Sequence, residues 1–302
     1  MKKKNFLTAL IVFAVLFTAC KKDEDDDITT PSGNTTNLVL NISNLGDLGP
    51  TAQYEGWIIV NNNPVSTGKF TVNQNGVLSK THFPVDKTQL NSATAFVLTI
   101  EPVPDNSPIP HDRHLISGEF NGSSASMSTM HGEALGADLT TSIGTYLLAT
   151  PTTSSMTDEL SGVWFIDATA GMGNEMPGLN LPALPAGWIY EGWAVINGQP
   201  VTTGKFTMEN SADQSAPYSG PLAGPPFPGE DFVQNAPAGL SFPTNLQGDM
   251  IVVTLEPVPD NSAEPFFVKP LTATVPAGAI PMNNHPMTAV AANALPIGTA
   301  TR

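Results

Sequence analysis

The sequence predicts an all-β protein built from two tandem, immunoglobulin-like β-sandwich repeats. Short β-branched and aromatic runs are separated by 26 Gly and 28 Pro, and no long stretch carries the 3.6-residue apolar spacing of a helix. Residues 54–71 return as 190–207 with 12 of 18 positions identical, and residues 98–107 return as 253–262 with 8 of 10 identical. That level of identity marks a duplication. With one cysteine in 302 residues, stability must come from burial, for which each repeat is long enough.

The elements follow in order. Leu38 to Ser43 and Val163 to Asp167 read as opening strands. In Tyr54-Glu55-Gly56-Trp57-Ile58-Ile59-Val60 both alternating faces carry apolar groups, as an inner strand requires. Asn61 to Pro64, and Asn197 to Pro200 in the copy, supply turn chemistry for a hairpin into Val65 to Val72 and Val201 to Met208, where Gly68 and Gly204 predict a bulge. Phe96 to Ile100 and Ile251 to Leu255 end at Glu-Pro-Val-Pro, whose prolines stop the ladder before an Asp-Asn-Ser turn. Leu115 to Phe120 matches Leu271 to Val275. Ile143-Gly144-Thr145 matches Ile297-Gly298-Thr299, so each repeat is expected to close with its own final strand.

The chain opens on Lys2, Lys3 and Lys4 and an apolar run from Phe6 to Ala19. Fourteen helical residues rise about 21 Å, short of a bilayer's roughly 30 Å core, which predicts a cleaved signal peptide over 1–19. Leu16-Phe17-Thr18-Ala19-Cys20 resembles a bacterial lipobox, which implies lipid attachment at Cys20. An acidic, polar tether covers 20–37, and its Lys21-Lys22-Asp23-Glu24 start resembles a surface-export signal. The resemblance implies an outer-membrane lipoprotein facing outward, with a periplasmic face as the alternative. The two repeats are then assigned to 38–157 and 158–302. Formal charge is −15 for the whole chain. That balance, without a basic aromatic patch, argues against nucleic acid.

The repeats differ in length. The motif offset grows from 136 to 155 residues, so the second repeat carries 19 extra residues within Asn210 to Asp249. That loop, with Phe227, Glu230, Asp231, Phe232 and Phe242, and the excursion Met172 to Gly187 before Trp188, are the candidate contact surface for an unknown protein or glycan partner.

The order Tyr-x-x-Trp, Pro-Val-x-x-Gly-x-Phe and Thr-x-Glu-Pro resembles the extracytoplasmic C-terminal domain of anti-sigma-K factors of the RskA type, across both repeats. The resemblance implies a β-sandwich with a sensing or docking role outside the cytoplasm. Asp105-Asn106 and Asp260-Asn261 stand where that family usually has a glycine-rich turn.

Shared residues Tyr54, Glu55, Trp57, Lys69, Glu101 and Asp105, and their counterparts Tyr190, Glu191, Trp193, Lys205, Glu256 and Asp260, read as structural. Lys69 is expected to pair with Glu55 across the hairpin, Asp105 to accept amides in its own turn, and Glu101 to satisfy loop amides. The alternatives are a glycan-hydrolysing carboxylate pair or a calcium site of Glu101, Asp105 and Asn106. His131 and His285 are taken as equivalent. His111 and His114 have i, i+3 spacing, but zinc needs more ligands than that pattern offers. No catalytic residue, cofactor or metal is therefore assigned.

Overall fold

The computed structural model describes residues 33–171, 173–260 and 262–302. The expected signal peptide and Cys20 lie outside the described residues. Among the described residues no helix is long and apolar enough to cross a membrane. The fold is all-β and sandwich-like, with one short α-helix.

The first half supplies β1 (Thr35–Ser43), β2 (Ala52–Val60), β3 (Asn63–Phe70), β4 (His82–Asp86), α1 (Lys87–Ser92), β5 (Ala95–Pro102), β6 (His114–Asn121), β7 (Ser124–Ser128) and β8 (Ile143–Leu148). The second supplies β9 (Gly162–Trp164), β10 (Ile166–Asp167), β11 (Met176–Pro177), β12 (Leu179–Asn180), β13 (Trp188–Ile196) and β14 (Gln199–Phe206). It continues with β15 (Gly229–Asp231), β16 (Met250–Pro257), β17 (Leu271–Thr274), β18 (His285–Pro286), β19 (Thr288–Ala289) and β20 (Ile297–Thr301). β1 starts at Thr35, inside the stretch expected to be tether, because Thr35, Thr36 and Asn37 pair with Asp86, Val85 and Pro84 of β4.

Local chemistry sets each turn. Asn61 and Asn62 both have positive φ, as do Asn197 and Gly198. These are the two-residue loops whose twist matches a right-handed hairpin. The register slips after Gly56 and after Gly192, opposite Gly68 and Gly204 with φ of 122° and 120°. Gly56 is required there, since a Cβ would lie 2.6 Å from Thr67 Oγ1 and 2.7 Å from Phe96. α1 is capped by Asp86, whose carboxylate accepts from the Thr88 and Gln89 amides, and it buries Leu90.

The first sheet runs β3-β2-β5-β6-β7-β20-β1-β4, all antiparallel. Its two ends meet where Phe70 packs edge-on to Phe83 at 5.8 Å. The second half repeats this order in two pieces, β14-β13-β16-β17-β19 and β12-β8-β9-β15, with β18 added to β8. Met287 bridges the break by donating its amide to Gly144 O at 2.8 Å.

The closing strands are therefore exchanged. β8, at the end of the first repeat, pairs with β9 of the second, through Leu147↔Trp164 and Leu148↔Val163. β20, at the end of the second repeat, lies between β1 and β7 of the first, in register from Val39↔Thr301 to Ser43↔Ile297 on one side and from Ile297↔Ser128 to Thr301↔Ser124 on the other. This corrects the expectation that each repeat closes on its own strand. The 157/158 boundary separates the sequence repeats but not the sheets, and Pro31–Arg302 cluster as one unit with one apolar core running through both halves.

Arg302 locks the exchange. Its guanidinium donates to Leu90 O at 2.7 Å, Ala93 O at 2.9 Å and Gly122 O at 2.9 Å, and lies 4.5 Å from the Phe120 ring centroid. Gly298 allows the close approach, because a Cβ would sit 2.4 Å from Asn41 O. Gly298→Val should thus cost more than about 2 kcal/mol. It should lower a single denaturation midpoint seen alike by Trp57 in the first half and by the three tryptophans of the second. Two separate transitions, with only the first shifted, would contradict shared closure.

Candidate functional site

Charged residues shared by the repeats converge on one corner in each half. Glu55 and Lys69 are directly paired across β2 and β3. Lys69 Nζ lies 3.6 Å from Glu55 Oε2 but only 2.8 Å from Asp105 Oδ2, so the turn aspartate is the nearer partner. Asp105 also accepts from Ser107 N at 2.9 Å. Trp57 Nε1 donates to Thr99 Oγ1 at 2.9 Å, and Thr99 donates to Glu101 Oε1 at 2.5 Å. Glu101 further accepts the His111 amide at 3.1 Å, with His111 Nδ1 against its other oxygen. Ser66 Oγ donates to Glu55.

The second corner repeats this chain. Trp193 donates to Thr254 at 2.8 Å, Thr254 to Glu256 at 2.5 Å, and the Phe266 amide to Glu256 at 2.9 Å. Lys205 Nζ lies 2.9 Å from Asp260 and 3.9 Å from Glu191. Burial pushes Glu191 up to about 7, against the Thr202 hydrogen bond, and pushes Glu256 up to about 8, against those from Thr254 and Phe266. The sequence reading passed over Thr99 and Thr254, although residues two apart on a strand share a face and that spacing is the signal that could have found them.

The side chains named for the candidate contact loops are mostly buried, while other residues of those loops, such as Asn180, Ala183, Gln214 and Ser215, are exposed. Phe232, Glu230 and Asp231 are fully buried, and Phe227 and Trp188 are nearly so. Phe242 packs on Phe232 at 5.5 Å and on Tyr218 at 5.6 Å, against the apolar core. Asp231 accepts from Trp164 Nε1 at 2.7 Å and Thr152 N at 2.8 Å, and Ser219 donates to Glu230. Burial pushes Glu230 up to about 8 and Asp213 up to about 7, the latter against the Gly229 amide at 3.0 Å. Trp188 donates to His114 O at 3.2 Å and so ties the halves together. These side chains read as loop decoration only when their partners Tyr218, Thr152 and Trp164 are out of sight.

A groove of about 770 Å³ lies on the outer face of the first sheet. Trp57 and Ile59 of β2 pair with Val97 and Ala95 of β5 to pave it, and Glu119 pairs with Ala95 at its side. His114, His131 and Glu133 also line it, with His114 Nδ1 held 2.9 Å from Glu133 O. None of Ile59, Val97, Glu119 or Glu133 stood out in the sequence, because an apolar strand face reads the same whether covered or open. His131 and His285 are not equivalent. Met127 and Met287 both meet the closing-strand glycine, which puts His285 in β18 beside Tyr146 and His131 in the groove. His111 and His114 likewise diverge, one to the Glu101 corner and the other to the groove.

Two outcomes follow for the second half. Phe232→Ala should cost about 3–5 kcal/mol in denaturant unfolding. Glu191, Asp213, Glu230 and Glu256 have folded pKa values raised above the ordinary carboxyl range. Folding therefore binds protons, and the associated stability is complete below about pH 4 and lost as pH rises through about 7–8. The unfolding free energy from urea titration should fall by on the order of a few kcal/mol between mildly acidic and mildly alkaline buffer, and Glu256→Gln should reduce the difference. Comparison of the chain with protein-family models, curated proteins and solved structures returns no match.

Proposed function

We propose that the chain is a non-catalytic, lipid-anchored outer-membrane protein whose folded part binds a protein or glycan partner through the groove on the first repeat. The signal and lipobox pattern, with a tether ahead of β1, supports the anchoring. The resemblance to the RskA-type outer domain supports a docking or sensing role. The observation that carries the reading is the contrast between this groove and the rest of the carboxylate chemistry. Carboxyls shifted by burial are each engaged by hydroxyls, amides or a lysine of the fold, whereas Glu133 is exposed beside an apolar floor. An apolar strip with acidic and imidazole groups at its side suits a ligand carrying both apolar surface and hydrogen-bond donors.

A photo-crosslinking residue at position 133 tests this in native envelopes. A discrete adduct is expected from position 133 and not from position 156, where Met156 is 82% exposed and does not line the groove. Ile59→Lys should abolish the adduct while leaving the unfolding free energy within about 0.5 kcal/mol of wild type. Equal labelling from both positions would overturn the groove as the contact surface.

A further inference from the structure

The two corners differ at one place that changes their chemistry. The loop after Asp105 carries His111 where the second repeat carries Phe266, and both residues donate their backbone amide to the matching glutamate. In the first repeat the imidazole adds a donor atom. Glu101, Asp105 and His111 each offer one ligand atom within 4.8 Å of the others. Glu101 is fully buried, and the His111 side chain is 38% exposed, which leaves a route from solvent.

A second feature, shared with the other corner at Glu191 Oε2, adds negative charge beside the cluster. Glu55 Oε2, on a side chain only 4% exposed, has no hydrogen-bond partner. It pairs at 3.6 Å with Lys69 Nζ, which Asp105 holds at 2.8 Å. Glu55, Glu101 and Asp105 thus share the corner with the Lys69 ammonium and with the largely buried Arg113 guanidinium, which interacts electrostatically with Glu101 and Asp105. Outer contacts suited to holding ligands are already in place. Thr99 donates to Glu101, Lys69 and the Ser107 amide donate to Asp105, and Trp57 fixes Thr99.

We propose that Glu101, Asp105 and His111 form a divalent transition-metal site of zinc type in the first repeat, which the second repeat lacks. A nitrogen donor with two carboxylates selects zinc-like ions over calcium or magnesium, which take oxygen ligands. The sequence pattern offered His111 and His114 as the pair. The fold separates them and supplies the missing ligands from the repeated corner.

Calorimetric titration of the whole chain with zinc chloride, alongside thermal melts, tests the site. Wild type should take up one equivalent at this corner and melt at a higher temperature with zinc than with chelator. His111→Phe copies the residue the second repeat already folds with, so its melt in chelator should match wild type. It should lose both the uptake and the zinc-induced rise. His114→Ala, in the groove, should keep both. No uptake by wild type, or uptake that survives His111→Phe, or uptake lost on His114→Ala, would each overturn the proposal.

Discussion

The backbone ladder that holds β20 between β1 and β7 is the contact on which the rest depends. A central strand satisfies its donors and acceptors on both sides, so without β20 the first sheet would present two open edges facing each other across an apolar slot. The same arrangement, with β8 against β9 and β18, completes the second half. Each repeat hands its last strand to the other, and the chain closes as a ring of two. Folding of one half then requires the other, and the shared apolar core is a consequence of that exchange.

Within each half the Trp–Thr–Glu relay does for the outer face what apolar packing does for the inner one. A strand buried on both faces must place side chains on the outside that do not leave polar atoms unmet. Trp57 and Trp193 provide bulk, and their indole N–H groups are satisfied by Thr99 and Thr254. Those hydroxyls pass a hydrogen to Glu101 and Glu256, which accept the amide of the returning loop. Strand, corner and loop are coupled through side chains that the repeat keeps unchanged.

Much of this was legible residue by residue. Asn61-Asn62 and Asn197-Gly198 announce the turn, and Gly68 and Gly204 the bulge. The spacing of Thr99 and Glu101 puts them on one face, a signal the sequence reading passed over. Lys69 was legible as a partner for Glu55, but its nearer partner lies 36 residues away in a turn. The strand exchange was not legible, because β8 and β20 carry the same Ile-Gly-Thr, which does not say which slot each strand fills. The burial of Phe232 and Phe242 was hidden for a related reason. An aromatic in a proline-rich loop looks exposed until Tyr218 is brought against it.

The duplication also shows where the halves part company. At the position of His111 the second repeat has Phe266, packed edge-on to Trp188 at 5.8 Å and beside Phe267 at 4.2 Å. Phe267 in turn lies so close to Gly46 that a Cβ there would be 2.4 Å from its ring. Trp188 reaches across to His114 O. The second corner thus spends its loop on apolar packing that joins the two halves. The first corner, relieved of that duty, keeps a half-exposed imidazole over a buried carboxylate. Because the scaffold around both is the same, this one exchange adds an imidazole donor to a corner that is otherwise repeated. The added loops of the second repeat contribute packing, while the shorter repeat carries the histidine-lined groove and the histidine at its corner.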